Sequence, residues 1–225
     1  GARDVIQQFL VLLRRSENEL ARLGEGERLV RSGLWRGFSP TLLLGTELHG
    51  RTLGIYGLGR IGRAVAEIGA AFGMDRIAAA SASSPVGTSV SGVRIVDKAT
   101  LLRESDVLSL HLPATPATRN AIGAPELCAM KRGSLLVNTA RGKVLDEAAL
   151  AASLASGHLG GAGLDVFEDE PNVPVALREM DNVVLTPHIG SATAQTRRAM
   201  AELAFANLKA RFDGEPLLSP VPECC

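Results

Sequence analysis

Cysteine is scarce in this sequence of 225 residues, limited to Cys128 and a terminal pair, Cys224 and Cys225. The three form neither a C-x-x-C motif nor a framework of paired spacings. That excludes a disulfide-stapled secreted scaffold and points to a reducing, cytoplasmic setting. Tryptophan and tyrosine occur once each, and no apolar run approaches the roughly 18 residues of a membrane span, so no membrane-spanning segment is expected. The opening Gly-Ala-Arg-Asp-Val-Ile-Gln-Gln puts an acid and two amides where a secretory signal carries its basic and apolar regions. Net charge is missing too: 24 basic side chains balance 24 acidic ones, and the isoelectric point is about 7.1. Neither nucleic acid nor an anionic membrane has a global electrostatic hold on such a chain, and neither is expected as a partner.

What is abundant is apolar residues, 46% of the chain against 21% charged, enough for one large globular domain. From residue 52 to about 187, short Val, Ile and Leu runs alternate with helical patterns, the signature of an α/β fold with a doubly wound parallel sheet. The pattern predicts strands over Thr52–Tyr56, Arg76–Ala80, Val107–Leu112, Ser134–Asn138, Ala162–Val166 and Asn182–Thr186, with Val93–Val96 as an additional one. The second is alanine-rich and poor in intrinsic strand propensity. Helices are expected over Ile61–Phe72, Lys98–Glu104, Ala124–Met130 and Asp146–Ser156, the last stopped by Gly157. Ahead of them come polar helical patterns over Val5–Arg22 and Glu27–Ser32, broken by Gly24 and Gly26. Behind them runs Thr193–Phe212, whose apolar stripe needs a partner surface, and a proline-bearing tail from Gly214.

The strongest local signal is Gly57-Leu-Gly59-Arg60-Ile61-Gly62, a G-x-G-x-x-G directly after a predicted strand and at the opening of a helix. In that context the first glycine permits the tight turn and the second lets a pyrophosphate approach the backbone. The third lets strand and helix pack closely, with the phosphate at the positive helix terminus. A dinucleotide is therefore the expected ligand. Such sites place an acid at the end of the second strand to accept from the adenosine ribose. Here that position is Ala80, followed by Ser81, Ser83 and Ser84. Losing the carboxylate removes both the ribose acceptor and the repulsion that would exclude a 2′-phosphate, which favours NADP over NAD. No arginine adjoins the serines, so phosphate pairing would need Arg76 or a residue from elsewhere, and NAD stays open.

Ligands of open α/β sheets sit beyond the carboxyl ends of the strands. Four such ends are polar, carrying His111 in Ser-Leu-His-Leu-Pro, Arg141 in Val-Asn-Thr-Ala-Arg-Gly, Asp165 to Glu170 in Asp-Val-Phe-Glu-Asp-Glu, and His188 in Thr-Pro-His-Ile-Gly190-Ser. Singly, each reads equally as a surface group or a capped strand end. With the glycine loop they resemble, from about Glu25 to Glu223, the D-isomer-specific 2-hydroxyacid dehydrogenases, most closely glyoxylate and hydroxypyruvate reductases. The resemblance implies Arg141, Glu170 and His188 as the catalytic set. It also implies a cofactor cleft that draws on Gly57, Gly59, Arg60, Ile61, Gly62, Ala80, Ser81, His111, Thr139, Asp165 and Gly190, with Asp165 meeting the nicotinamide amide. No metal is implied.

The chemistry suits those residue types. A guanidinium can hold a 2-oxo acid's carboxylate, an imidazole titrating near neutrality can protonate the carbonyl oxygen, and a carboxylate can orient that imidazole. The resemblance further implies a divergent N-terminal helix over 1–24, a dinucleotide-binding domain over 25–192, and a remnant of the substrate domain over 193–225, most of that domain being missing. It implies a homodimer, with Trp35–Leu53 as the interface arm. Two functions follow from it: an oxidoreductase reducing a small 2-oxo acid such as glyoxylate or hydroxypyruvate with NADPH or NADH, or a non-catalytic dinucleotide-binding module of the corepressor kind.

Overall fold

The computed structural model describes residues 23–43 and 47–220. The expected helix over Val5–Arg22 and the terminal cysteine pair lie outside those residues. Contacts divide the chain after Gly190 into a large unit and a smaller one that follows from Ser191.

The large unit holds eight strands: β1 (Thr52–Tyr56), β2 (Asp75–Ala79), β3 (Ser89–Val90), β4 (Val93–Val96), β5 (Val107–Leu110), β6 (Leu135–Asn138), β7 (Gly161–Leu164) and β8 (Val183–Leu185). Its helices are α1 (Leu23–Arg31), α2 (Arg60–Ala71), α3 (Lys98–Glu104), α4 (Ala124–Ala129), α5 (Glu147–Ala155) and the single turn α6 (Val175–Arg178). The strands form one sheet in the order β3-β4-β2-β1-β5-β6-β7-β8, parallel except where β3 runs against β4. The six expected strands and the additional one are all present, each within a few residues of its predicted ends.

The alternation of side chains along each strand divides the core between two sheet faces. Leu53, Ile55, Ala78, Val107 and Val137 belong to one buried cluster, and Ile77, Leu108, Leu110, Leu136 and Leu164 to the other. This burial explains β2. Its alanines have low strand propensity, yet Ala78 and Ala79 are buried between two neighbouring strands, and packing outweighs the intrinsic preference.

Two expectations are corrected. Gly24 and Gly26 do not break the chain, because α1 runs through both, and helix formation continues across the ~1 kcal/mol cost of each glycine. The strand β3 was not anticipated, being a two-residue edge pairing closed by a turn at Ser91 and Gly92, both with positive φ.

The second unit is built on α7 (Ala194–Asp213), capped by the Thr193 side chain, which accepts from the Thr196 amide, and ended by Gly214 in the left-handed region. Its tail is hooked rather than free. The Glu215 amide donates to Ala210 O, and Asn207 pairs twice with Ser219. Met200, Phe205, Leu208 and Phe212 on this helix are exposed. Among the described residues no helix is long and apolar enough to cross a membrane.

Leu108 is fully buried at the centre of the sheet and Leu203 on α7 is half exposed. In urea unfolding, Leu108→Ala is expected to cost about 2–5 kcal/mol and Leu203→Ala less than about 0.5 kcal/mol.

Candidate active site

Strand order reverses between β1 and β5, so the crevice at their carboxyl ends is where an open α/β sheet receives a ligand. The glycine loop occupies that crevice. Gly57 has φ 110°, and a Cβ there would lie 2.7 Å from His111 O, so the turn after β1 is pressed against the end of β5. A Cβ on Gly62 would come within 2.3 Å of Gly57 O, whereas one on Gly59 would meet nothing within 4 Å. Two glycines are thus needed for protein packing, and the middle one opens onto free space at the start of α2. No side chain caps that helix and no acid stands in its first turn, so its leading amides are available to an anion. Arg60 and Ile61 are exposed at the same helix opening.

Thr139, beyond β6, adds a hydroxyl that is buried and without a hydrogen-bond partner, an orphan that a bound ligand can satisfy. Together these features fit a dinucleotide pyrophosphate and its neighbouring groups.

His111 follows β5 with Nε2 2.8 Å from Ser109 Oγ, and burial lowers its pKa to about 4. The ring is therefore neutral at physiological pH. Ala80 is exposed just past β2, and Ser81 begins a tight turn closed by reciprocal backbone hydrogen bonds with Ser84, its hydroxyl 3.2 Å from that of Ser83. Arg76 does not reach this turn. It sits near the start of β2 with its guanidinium over Gly92, some 16 Å of extended strand from Ser81.

The three expected catalytic residues sit on turns after β6, β7 and β8. Asn138, fully buried, accepts the Ala140 amide and donates to Arg141 O, which shapes the turn presenting Arg141. The Arg141 guanidinium is exposed, with one nitrogen donating to Ala140 O and no salt bridge among the described residues. Gly142 brings this turn against the next. A Cβ there would fall 1.9 Å from Phe167 C, so no other residue allows the two backbones to approach this closely.

On the facing turn, Glu170 Oε1 accepts the Phe167 amide at 3.0 Å and Oε2 lies 2.8 Å from His188 Nδ1. Burial alone would raise the Glu170 pKa. The hydrogen bonds from His188 and Phe167 and the positive charges of His188 and Arg141 outweigh it, so the carboxyl sits below its usual range. An ionised carboxylate only accepts, so Nδ1 carries the proton of the bond and Nε2 is the nitrogen left to meet a substrate.

His188 itself has φ 52°, unusual for a non-glycine residue. Asp165, at 1% exposure, holds it there. Its Oδ1 accepts from the Thr186 hydroxyl and Ile189 amide, its Oδ2 from the Gly190 amide, and its carbonyl from the His188 amide. Asp165, the residue expected at the nicotinamide amide, organises the His188 turn, and Gly190 joins that turn through its own amide.

Asn138 and Glu147 were not singled out by sequence reasoning. The Asn-x-x-Arg spacing could have pointed to the first. Nothing local marks Glu147, whose burial depends on a loop 21 residues away. Glu147 Oε1 accepts the Glu168 amide at 2.7 Å, and burial, with the charges of Glu168, Asp169 and Glu170, raises its pKa despite that bond.

A Rossmann-type dinucleotide-binding domain with an Arg, a Glu and a His on the turns after three neighbouring strands is the class these features define. The chain belongs to the D-isomer specific 2-hydroxyacid dehydrogenase family: residues 18–190 match the profile of that family's NAD binding domain. A glyoxylate reductase of Thermococcus litoralis is 47% identical over 198 residues, which are 86% of this chain and 60% of that protein. Among solved structures, an NADPH-dependent glyoxylate/hydroxypyruvate reductase from Sinorhizobium meliloti in complex with NADP and malonate superposes with a TM-score of 0.86 at 38% identity, covering 99% of this chain and 68% of that one. D-lactate dehydrogenase of Aquifex aeolicus, complexed with NAD and lactic acid, gives a TM-score of 0.82 at 32% identity, over 96% and 68% of the two chains. The chain thus spans about 60% of the length of the curated relatives it matches.

The half-buried, neutral His111 sets an acid limit on stability. Its folded pKa of about 4 lies below the value of an unfolded histidine, so the unfolded chain takes up the proton first as pH falls. The contribution is expected to be complete above about pH 6.5 and to be lost towards pH 4, by on the order of 3 kcal/mol. Urea midpoints for the native chain and His111→Gln between those pH values check it: the variant should lose less stability on acidification.

Proposed function

We propose that this domain supplies the cofactor site and catalytic residues of an oxidoreductase that reduces a small 2-oxo acid, of the glyoxylate or hydroxypyruvate type, to the D-2-hydroxy acid. The observation that carries the reading is the 2.8 Å Glu170–His188 pair, with imidazole Nε2 free of partners among the described residues and the positive charge of Arg141 acting on the same carboxylate.

In this reading the glycine loop and α2 amides would hold the pyrophosphate of a nicotinamide dinucleotide, with Arg60 and Ile61 at the same helix opening, and Thr139 would line the cofactor cleft. The bound dinucleotide supplies the hydride. Arg141 pairs with the substrate carboxylate through guanidinium donors that no protein carboxylate occupies. His188 delivers a proton from Nε2 to the carbonyl oxygen as negative charge develops there, while Glu170 holds the ring and balances the imidazolium. In the oxidative direction the same nitrogen takes the proton back.

Loss of an acid after β2, with the Ser81–Ser84 turn in its place, supports NADP, and a relative bound to NADP supports it too. A relative bound to NAD keeps the other cofactor open. A homodimer is supported by the exposed apolar side chains Trp35, Phe38 and Leu42 on the segment read as the interface arm. The second reading is a dinucleotide-binding module without turnover.

Absorbance at the reduced-nicotinamide band, with NADPH or NADH offered alongside glyoxylate, hydroxypyruvate and pyruvate, tests the proposal. Turnover is expected, with His188→Gln lowering kcat by about 10²–10⁴-fold. Arg141→Ala should lower kcat/KM by on the order of 10²-fold, because an unpaired substrate carboxylate loses a charge-assisted bidentate bond worth roughly 3 kcal/mol. Tight dinucleotide binding without turnover of any pair would favour the second reading instead.

A further inference from the structure

We propose that Glu147 is a positioning residue for the Glu170–His188 pair, acting through the backbone amide of Glu168. The inference rests on the catalytic reading of that pair given above.

Glu147 opens α5 yet does not cap it. The cap is Asp146, whose side chain accepts the Ala149 amide. Glu147 is 8% exposed and its Oε1 accepts the Glu168 amide at 2.7 Å. Burying a carboxyl group is costly unless it meets a donor, and a buried amide left without an acceptor is costly in turn. Each group therefore depends on the other, and the bond fixes the first peptide of the segment leading to Glu170.

That segment has other ties, one of them the turn in which the Asn172 amide and side chain donate to Asp169. The Phe167 amide donates to Glu170 Oε1, which folds the catalytic carboxylate back on its own loop. Arg119 pairs with the Glu168 carboxylate, but both side chains are exposed by more than a third, where an ion pair contributes little. The Glu147 bond, made by a buried carboxyl group, thus anchors the start of the turn to α5. Gly142 lets the preceding turn lie against the Phe167–Glu168 peptide, so the anchor sits where the Arg141 and Glu170 turns meet.

Glu147 acts as an acceptor rather than as a charge. Glu168, Asp169 and Glu170 face it and, with burial, favour its protonated form, and a protonated carboxyl still accepts through its carbonyl oxygen. Glutamine keeps that oxygen and alanine removes it.

The test compares Glu147→Gln, Glu147→Ala and Arg119→Ala in the same chain. Expected are a kcat within threefold of native for the glutamine variant, at least a tenfold fall for the alanine variant, and less than a twofold change for Arg119→Ala. Dinucleotide affinity, read by fluorescence quenching, should stay unchanged in all three. Amide exchange of Glu168, followed by NMR, should be slow in the native chain and glutamine variant and fast in the alanine variant. Unchanged exchange in Glu147→Ala would overturn the proposal, as would unchanged turnover or a glutamine variant as impaired as the alanine one. If the native chain turns over no 2-oxo acid, the oxidoreductase reading fails. Exchange at Glu168, together with the His188 ring signals, then decides the positioning role alone: ring signals unmoved in Glu147→Ala overturn it, and signals displaced there but native in Glu147→Gln uphold it.

Discussion

A carboxylate carried to 1% exposure has to be met by donors, and the way Asp165 meets them sets the rim on which the candidate chemistry lies. Its two oxygens take the Thr186 hydroxyl and the amides of Ile189 and Gly190, so the chain after β8 must curl around it. The curl costs something, because His188 is left at φ 52°, and a side chain in that region pays on the order of 1–3 kcal/mol. The three donors that meet the side chain, with the His188 amide on the Asp165 carbonyl, hold the turn in that conformation. The imidazole is presented by a turn that the core enforces, and its orientation does not rest on Glu170 alone.

From that turn the dependence passes along the sheet edge. Parallel strands bring the ends of β6, β7 and β8 to one side, and two small devices bring their turns into contact. Asn138 satisfies the turn before Arg141 from within the core, and Gly142 removes the side chain that would hold that turn away from Phe167 and Glu168. The glycine loop obeys the same logic at the switch point, where Gly57 and Gly62 allow backbone to approach backbone and Gly59 is left facing open space. Close approach of main chains, more than side-chain bulk, is what positions this site.

This division explains what could be read from the sequence. The strand and helix alternation, the glycine loop in its context and the order of Arg141, Glu170 and His188 are local patterns, and the structure carries each of them. Partnerships between distant segments were not legible. Glu147 looks like an ordinary acid until Glu168 is placed beside it, no local signal marks the Gly190 amide as a partner of Asp165, and Arg76 looks able to reach the Ser81 turn only until its place along β2 is known. The unbroken α1 has the same origin in reverse, since glycine's helix cost is a mean tendency that one extra turn can absorb.

Charge balance at the site follows from the same geometry. The chain as a whole is neutral, but the rim is not. An imidazolium at His188 would be offset by the Glu170 carboxylate beside it, whereas Arg141 has its guanidinium exposed and no carboxylate of its own among the described residues. With His188 protonated, the trio therefore carries one net positive charge before a substrate arrives. A monoanionic 2-oxo acid would neutralise it and leave each cation with a counterpart, Arg141 with the substrate carboxylate and His188 with Glu170. When the proton moves to the carbonyl oxygen, Glu170 is left with a neutral ring that still donates through Nδ1, so the pair stays hydrogen-bonded in both protonation states. A ring whose second nitrogen is committed in either state can gain and lose its proton at Nε2 without turning, which is what a reversible proton transfer at a fixed carbonyl requires.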